Sequence, residues 1–407
     1  MTVPKLRFKE FDGGWTKSTI QFFMDNNFIL DQMDGNHGEL YPKSEEFSAT
    51  GVPYISATDF SFGDVNFATC KRLPIERAKL FKKGIAKNGD VLFAHNATVG
   101  PVAILKTDLD FVILSTTATY YRCEATYLNN HYLKNYFESD FFVQQYFGIM
   151  SQSTRNQVPI TTQRKLNIAV PNIQEQTKIA SFLSAVDEKI SQLTQKHELL
   201  SQYKQGMMQK LFSQQLRFKA DDGSEFGEWE EKELKDIAEI NPKSKKLPES
   251  FIYIDLESVE KGQLLLQKNI ELQDAPSRAQ RLLAKGDVLF QMVRPYQQNN
   301  YYFNLSGEYV ASTGYAQIRT KLDSKFIYYA LHEKTFLDEV MNRCTGTSYP
   351  AINSSDLSSI EILIPCLEEQ TKIANFLSAI DQKIEVVAQQ IEQAKTWKKG
   401  LLQQMFV

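Results

Sequence analysis

Apolar residues recur at alternating intervals of four and three in two long segments, each of which begins soon after a proline. The first segment follows Pro171 and the second follows Pro365. This spacing places one apolar stripe along a helix and is typical of a coiled coil. Asn172, followed three residues later by Glu175, predicts the N-cap of the first helix and its capping partner. The seam positions are Ile179, Leu183, Val186, Ile190 and Leu193 in the first segment and Ile373, Leu377, Ile380, Ile384 and Val387 in the second.

The two helical segments are near copies of each other. EQTKIASFLSAVDEKI at 175–190 returns as EQTKIANFLSAIDQKI at 369–384, with thirteen of sixteen residues identical. Shorter matches occur in the same order: LRFK at 6–9 and 216–219, a tryptophan at 15 and 229, and GDVLF at 89–93 and 286–290. The sequence therefore predicts two copies of one module, whose ends are similar and whose middle has diverged. That pattern suits one scaffold with two different specificities.

The duplication predicts four segments: globular modules at 1–172 and 214–366, and helices at 173–213 and 367–407. The second module follows the end of the first helix and precedes the start of the second, so those helix ends must be close together. We therefore expect the helices to be antiparallel. Within each module, β-rich runs such as YYRC at 120–123 accompany aromatic-rich helical patterns. The predicted fold class is α+β, with two pseudo-symmetric mixed α/β domains joined by two long antiparallel, coiled-coil-like helices.

Four residues in or beside the seam leave alternatives open. Lys204 and Lys398 hold equivalent seam positions, where they either set the register of the helix pair or mark frayed ends; the second interpretation is favoured. Phe182 and Phe376 lie next to the seam at matched positions. They either contact helices added by a partner or, as is more usual, pack within the chain.

Composition excludes several classes of protein. Hydrophobic residues make up 42% of the chain, and no apolar run approaches the ~18–20 residues that span a bilayer. The N-terminus lacks the apolar stretch of a secretory signal, and the four cysteines show no CxxC pairing, so we expect a soluble cytoplasmic protein with reduced thiols. The net charge of −3 argues by itself against nucleic-acid binding. Binding requires a basic face, however, and not a basic protein.

Familiar catalytic motifs are missing from the sequence. No glycine precedes a lysine, which excludes a Walker A phosphate loop, and HExxH, GxSxG and GxGxxG are absent. No Cys/His spacing suggests zinc, and neither Asn-Pro-Pro nor Asp-Pro-Pro occurs, either of which would mark an amino-methyltransferase. The sequence therefore predicts no catalytic residues and no metal ligands in this chain.

Basic residues gather just before each GDVLF segment and are candidates for phosphate contacts, which position a protein on DNA without selecting a sequence. In the second module three of them are spaced at i, i+3 and i+7, which places them on one face if the segment is helical. The alternative, a solvated charged surface, stays open. The candidates are Lys71, Arg72, Lys79, Lys82, Lys83 and Lys87, then Arg278, Arg281 and Lys285.

Polar loops follow the GDVLF segments, and a second polar loop occurs later in each module. Arginine can bind guanine, and asparagine or glutamine can bind adenine, through two hydrogen bonds to one base edge. Loops are polar by default, so each residue could equally be ordinary surface. The candidates for base contacts are Asn96, Thr98, Ser153, Thr154, Arg155 and Asn156, then Arg294, Tyr296, Gln297, Gln298, Asn299, Asn300, Thr345, Thr347, Ser348 and Tyr349.

Taken together, LRF followed by Trp, GDVLF, and a Pro then EQxxIAxFLxxxD opening a long helix, all duplicated, resemble the specificity (S) subunit of type I restriction–modification systems. The resemblance covers essentially the whole chain. It implies that each module is a target recognition domain for one half of a bipartite, asymmetric site in double-stranded DNA. It also implies that 174–212 and 368–406 are spacer helices.

The same resemblance implies partners and cofactors. Two methylation (M) subunits would dock on the helices and recognition domains, and restriction/translocase (R) subunits would complete the complex. S-adenosylmethionine would be bound by the methylation subunits, and ATP and Mg by the restriction subunits, so this chain would hold no cofactor. The predicted function is the non-catalytic DNA-recognition subunit of an adenine-specific methyltransferase and type I restriction endonuclease complex. The alternatives are a coiled-coil adaptor with protein-binding heads and a self-sufficient methyltransferase or nuclease.

Overall fold

The computed structural model describes residues 3–36, 38–151, 156–243 and 246–407. Contacts group the chain into two compact units: unit 1 is Met1–Lys196 with Val387–Val407, and unit 2 is His197–Val386. Each unit thus takes one globular module and half of each long helix, because each half-helix buries its apolar stripe against its own module. This grouping does not test the four segments predicted from the sequence, 1–172, 173–213, 214–366 and 367–407, and their bounds stay a prediction.

The helices fall into short elements within each module and two long ones. The long helices are Ile173–Phe212 and Leu367–Met405. The short α-helices are Ile20–Asp25, Ile75–Ala78, Asn130–Glu138, Asp140–Met150 and Ile160–Gln163 in unit 1, and Leu234–Ile237, Ser324–Ala330, Lys334–Asn342 and Ser354–Ser358 in unit 2. Single 3₁₀ turns lie at Gly38–Leu40, Ser44–Glu46, Ala57–Asp59, Leu272–Asp274 and Pro295–Gln297.

The strands of unit 1 form three sheets, in which two pairs are parallel: Val52–Ile55 with Val112–Leu114, and Asp64–Val65 with Thr98–Ile104. In spatial order the largest sheet is Ile29–Asp34, Ala118–Cys123, Val91–Asn96, Thr98–Ile104, Asp64–Val65 and Phe60–Ser61. The second is Lys71–Leu73, Val52–Ile55, Val112–Leu114 and Ile85–Ala86, and the third pairs Thr16–Thr19 with Asn167–Val170.

Unit 2 repeats the strand order of unit 1. Its first sheet is Ala238–Ile240, Tyr315–Thr320, Val288–Gln291 and Tyr301–Tyr302. Its second is Lys268–Glu271, Ser250–Ile254, Tyr309–Ser312 and Ala279–Leu282, again with its two central strands parallel. Glu230–Glu233 pairs with Glu361–Ile364, and Val259–Glu260 with Gln263–Leu264. The mixed α/β modules and the long helices confirm the predicted fold class.

The long helices are antiparallel within each unit. In unit 1, Ile179 shares a core with Met405, and eight residues further on Asp187 binds Lys398, which precedes Met405. In unit 2, Lys204 binds Asp381, and Leu211 shares a core with the earlier residue Ile373. The seam residues are buried, apart from the half-buried Ile384.

The two seam lysines are ion-paired, so the favoured interpretation as frayed ends is wrong. Lys398 Nζ lies 2.7 Å from Asp187 and 2.6 Å from Glu138, and its side chain is 15% exposed. Lys204 Nζ lies 2.6 Å from Asp381. Charged pairs inside an apolar seam favour one register, because slipping the helices would leave each charge without its partner.

The aromatic residues beside the seam pack within their own units. Phe182 meets Phe8 at 5.9 Å between ring centroids and Trp397 at 6.0 Å. Phe376 meets Phe218 at 5.7 Å. Phe8 and Phe218 belong to the repeated LRFK segments, so these segments hold the module against its helix, and the intrachain alternative is confirmed.

The repeated Glu-Gln pair fastens the start of each long helix. Asn172 is the predicted N-cap, and its side chain accepts a 2.9 Å hydrogen bond from the Glu175 amide. The predicted pairing of Asn172 with Glu175 is therefore confirmed through the Glu175 amide. The Glu175 carboxylate does not return a bond to Asn172 but binds the Arg7 guanidinium through two 2.7 Å hydrogen bonds. Gln176 donates to Tyr127 O and Pro171 O, which ties the helix to the module.

Unit 2 repeats the ion pair and the glutamine contact, with Cys366 at the position of Asn172. Arg217 binds Glu369 at 3.1 and 2.7 Å, and Gln370 donates to Pro365 O. Glu175 and Glu369 are both 0% exposed. A buried carboxylate is tolerated only with a close partner, which explains why the arginine and the glutamate recur together.

Candidate nucleic-acid interface

The two predicted polar loops of unit 2 come together. The Arg294 amide donates to Pro350 O at 2.7 Å, and the Arg294 guanidinium lies 4.3 Å from the ring centroid of Tyr349, a cation–π contact. Tyr296 and Tyr349 are 51% and 62% exposed. We call Arg294, Tyr296, Gln297 and Tyr349 the unit 2 loop surface. Thr345, Thr347 and Ser348 are exposed beside Tyr349 in the same loop.

The backbone of this loop is strained at two non-glycine residues. Arg294 has φ 53° and ψ 54°, and Gln298 has φ 51° and ψ 35°. Each left-handed residue of this kind costs on the order of 1–3 kcal/mol and persists only where its surroundings hold it. Such strain is found at functional sites, and here it fixes where the Arg294 side chain leaves the backbone.

Side chains beneath the loop hold it in place. Gln291 ends the Val288–Gln291 strand; its Nε2 donates to Gln297 Oε1 at 2.9 Å, and its Oε1 accepts from the Asn299 amide at 3.0 Å. Asn300 is 1% exposed and accepts a 2.8 Å hydrogen bond from the Gln291 amide. Asn300 cannot reach a base, so its predicted role in base contact is wrong. Asn299 Oδ1 accepts from the Lys261 amide, and Gln298 Nε2 lies 3.4 Å from His332 O.

His332 completes this support. Its Nδ1 lies 2.7 Å from Tyr328 O and its Nε2 lies 3.4 Å from Asn300 Nδ2. These partners assign the proton to Nδ1, which donates, while Nε2 accepts. Burial lowers the pKa of His332 to about 4, so the ring is neutral near pH 7. The sequence analysis missed both His332 and Gln291. The only sequence signal for Gln291 is that a polar residue directly follows GDVLF at the end of the strand.

The corresponding loops of unit 1 also meet. The Ala97 amide donates to Asn156 O at 3.0 Å, and Asn96 pairs with Gln157 in an isolated bridge. Thr98 and Asn156 are exposed, and Asn96 is half-buried. Ser153, Thr154 and Arg155, also predicted to contact bases, lie outside the described residues.

The basic residues of unit 1 divide into two groups. Lys82, Lys83 and Lys87 are exposed, and Lys71 is exposed with its ammonium 4.8 Å from the Phe47 ring centroid. Two others are engaged: Arg72 donates to Gly51 O at 3.2 Å, and Lys79 pairs with Glu76 at 2.9 Å. The first group can contact phosphates directly, and Arg72 keeps N–H groups beyond the one that donates to Gly51 O.

The predicted shared helical face in unit 2 is wrong. Arg281 lies in the strand Ala279–Leu282, with Arg278 before it and Lys285 after it. Arg281 is half-buried, and the register shifts between Ala279 and Arg281 where this strand pairs with Tyr309–Ser312. Arg281 Nε has no hydrogen-bond partner among the described residues, and burial lowers the pKa of its guanidinium. Only Arg278 and Lys285 are exposed.

In the described part of the chain, no group of His, Cys, Asp or Glu side chains is arranged to hold a metal ion. Nor does any helix within those ranges have the length and apolar character needed to cross a membrane.

Known proteins resemble this chain in both sequence and fold. The family model for the type I restriction modification DNA specificity domain matches residues 31–202 and 227–396. The putative type I restriction enzyme MjaX specificity subunit of Methanocaldococcus jannaschii is 29% identical over 333 residues, covering 77% of this chain and 76% of the relative. The MjaVIII specificity subunit of the same organism is 28% identical over 256 residues, 58% of this chain and 60% of the relative.

The fold agrees with a solved relative. The type I restriction–modification S subunit of M. genitalium superposes with a TM-score of 0.61 at 17% identity, covering 100% of this chain and 99% of that structure. With two matched copies of the specificity domain spanning most of its length, the chain belongs to the family of type I restriction–modification specificity subunits.

Proposed function

We propose that this chain is the DNA sequence-recognition subunit of a type I restriction–modification complex, in which unit 1 and unit 2 each contact one half of a bipartite site. The observation that carries this proposal is that the loop after the GDVLF strand has the same backbone conformation in the two units but different side chains. Ala97 and Arg294 follow the repeated GDVLF strand at the same distance, and both are left-handed, with φ 62° and 53°. Both amides donate to the second polar loop of their own unit.

The side chains that these loops carry suit base recognition. Arg294 in unit 2 can donate two hydrogen bonds to guanine in the major groove, whereas Ala97 in unit 1 offers none. Asn96, Thr98 and Asn156 supply the polar groups in unit 1 instead. Two different half-sites follow from two different sets of side chains on one scaffold.

In this proposal the chain contributes recognition and no chemistry. Methylating an adenine requires rotating it out of the base stack, at a cost of a few kcal/mol, into the pocket of an enzyme that binds S-adenosylmethionine. Two methylation subunits supply that pocket, and restriction subunits add ATP and Mg where cleavage occurs. The outer faces of the long helices and the modules are the surfaces these partners contact.

A module exchange tests the proposal. Residues 11–171 are replaced by the matching segment of a relative, and methylated adenines are mapped across the genome of cells that also make the methylation subunits. One half of the methylated motif should change while the other half stays. The reciprocal exchange of 221–365 is the matched control and should change only the other half. A change in both halves at once contradicts two independent readers.

Purified components separate the rival functions. With methylation subunits present, sequence-selective retention of DNA in a gel-shift supports the recognition subunit, and its absence supports an adaptor with protein-binding heads. The chain alone, given DNA with S-adenosylmethionine or magnesium, should show no turnover. Turnover would make it a self-sufficient methyltransferase or nuclease.

A further inference from the structure

Unit 1 carries a longer connection than unit 2 between two equivalent strands. Residues 35–51 join Ile29–Asp34 to Val52–Ile55, whereas 241–249 join Ala238–Ile240 to Ser250–Ile254. We call residues 38–50 the insertion segment. It contains the 3₁₀ turns Gly38–Leu40 and Ser44–Glu46, so it is an ordered part of unit 1.

The insertion segment is fastened to the edge of the sheet. The Arg77 guanidinium pairs with Glu46 and donates to Leu40 O at 3.1 Å. The Phe47 ring packs on Tyr54 with 5.4 Å between centroids, and Ser48 pairs with Arg72 in an isolated bridge. Arg77 is therefore engaged in structure, and the Glu46 carboxylate is neutralised by it.

A groove with a volume of about 420 Å³ lies between the insertion segment and the edge strand. Two half-buried aromatic rings, Phe47 and Phe67, contribute apolar surface, and the hydroxyls of Ser44 and Ser48 contribute polar groups. The charged side chains in the lining, Lys71 and Arg72, are both cations. We call it the insertion groove; Ala49, Ala68 and Cys70 complete its lining.

The insertion groove lies at the end of unit 1 that carries its polar loops. The strand Lys71–Leu73 is antiparallel to Val52–Ile55, with Lys71 opposite Tyr54. Lys71 therefore lies at the end of the pair where Val52–Ile55 finishes at Ile55. From there Ile55 O accepts from the Ser115 amide, the Ser115 and Thr117 hydroxyls are 2.7 Å apart, and Thr117 O accepts from the His95 amide. His95 directly precedes Asn96.

We propose that the insertion groove binds the sugar–phosphate backbone of DNA beside the half-site contacted by unit 1. Lys71 and Arg72 contact two adjacent phosphates, the serine hydroxyls donate to the same phosphates, and Phe47 and Phe67 pack against deoxyribose. This inference rests on the proposed function and adds to it a contact that unit 2 lacks. Phosphate contacts of this kind strengthen binding without selecting a sequence.

Salt-dependent binding tests the groove. The complex with methylation subunits is assayed on a DNA duplex carrying the methylated motif, with Lys71→Gln plus Arg72→Gln in the S chain. The binding constant K falls as salt rises, and each lost phosphate contact makes the slope of log K against log salt shallower by about 0.9. The double variant should therefore reduce the steepness of the slope by about 2. Lys71→Gln alone should lower the slope by about 1 and keeps the Arg72 hydrogen bond to Gly51, which guards against misfolding.

The matched control lies in unit 2. Lys268 lies opposite Tyr253 in the register of its antiparallel strand pair, as Lys71 lies opposite Tyr54. The connection in unit 2 that corresponds to the insertion segment is shorter, spanning 241–249. Lys268→Gln should leave the slope unchanged. For the Lys71→Gln plus Arg72→Gln variant, hydroxyl-radical footprinting should show that DNA protection is lost only on the flank of the unit 1 half-site. The methylated motif should be unaltered.

Several results would overturn the groove proposal. These are an unchanged slope in both variants, equal loss of protection on both flanks, or weaker association with methylation subunits at unchanged DNA contacts, which would mark a protein-binding groove. Failure of the proposed function is distinguishable from these, because the unaltered complex would then retain no DNA selectively.

Discussion

The contacts at the start of each long helix are nearly identical in unit 1 and unit 2, while the polar loops of the two units differ. Arg7 and Arg217 bind the buried Glu175 and Glu369 through the same two hydrogen bonds. At the loops, by contrast, the shared left-handed position carries Ala97 in unit 1 and Arg294 in unit 2. Where a side chain is buried against a charge or a backbone group, little else fits; where it faces solvent, the duplicated copies have been able to diverge.

One buried position and one half-buried position nevertheless differ between the units. The Trp229 indole donates to Glu369 Oε2 at 3.1 Å, whereas Trp15 Nε1 is buried without a hydrogen-bond partner among the described residues. His332 supports the unit 2 loop, while Glu138, at the corresponding place in unit 1, binds Lys134 and Lys398. These differences make paired substitutions informative.

The largest expected effect is on the buried ion pairs. Arg7→Ala strands the Glu175 carboxylate, which is 0% exposed, and should lower the free energy of unfolding by about 3–5 kcal/mol. Arg217→Ala should cost less, because Glu369 keeps the Trp229 hydrogen bond and Arg217 is the more exposed arginine, 23% against 12%. Urea unfolding of the two variants measures the difference. Equal losses would show that the indole does not compensate.

A second comparison uses pH. The pKa of His332 is about 4 in the folded chain and near its usual 6.5 when unfolded. Between these values the unfolded state binds more protons, so stability should fall as pH drops from about 6.5 to about 4, by up to about 3 kcal/mol. His332→Gln should remove that part of the decline. Unfolding curves at pH 7.5 and 4.5 for both proteins measure it, and parallel losses would contradict a buried neutral ring.

The third comparison concerns DNA selectivity. Arg294→Ala gives unit 2 the residue that unit 1 has at this position. If Arg294 contacts a guanine, discrimination at one base pair should fall by about 1–3 kcal/mol, roughly ten- to two-hundred-fold, and the other half-site should be unaffected. Competition binding with single-base variants of the motif measures this. Uniform weakening across all variants would instead assign Arg294 to a phosphate.

The smallest expected effects are at the seam lysines. Lys398→Ala removes a cation that is 15% exposed and shared by Asp187 and Glu138, and should cost about 2 kcal/mol. Lys204→Ala removes a more exposed cation, 24%, with Asp381 38% exposed, and should cost about 1 kcal/mol or less. Thermal unfolding of the two variants ranks them. A larger loss for Lys204 would reverse the ranking that burial predicts.

Much of the scaffold was predictable from the sequence, and less of the site. Heptad spacing located the helices within a residue or two, and the order of the repeats required their antiparallel direction. The sequence did not predict that the two polar loops within each unit meet. Burial cannot be read from the sequence, so Asn300 was placed among the base contacts although its side chain is buried and accepts a hydrogen bond from the Gln291 amide. Arg278, Arg281 and Lys285 were assigned to one helical face, whereas Arg281 lies in a strand.

What the sequence by itself determined was the duplication, the long helices and the family resemblance, because identity and periodicity can be read without knowing which residues are in contact. Only the tertiary structure decided that the Glu175 carboxylate binds Arg7, that Lys204 and Lys398 are ion-paired, and that His332 lies beneath the loop that contains Asn300. Each of these contacts joins residues far apart in sequence or on opposite elements. Their partners are chosen by packing, which no local pattern encodes.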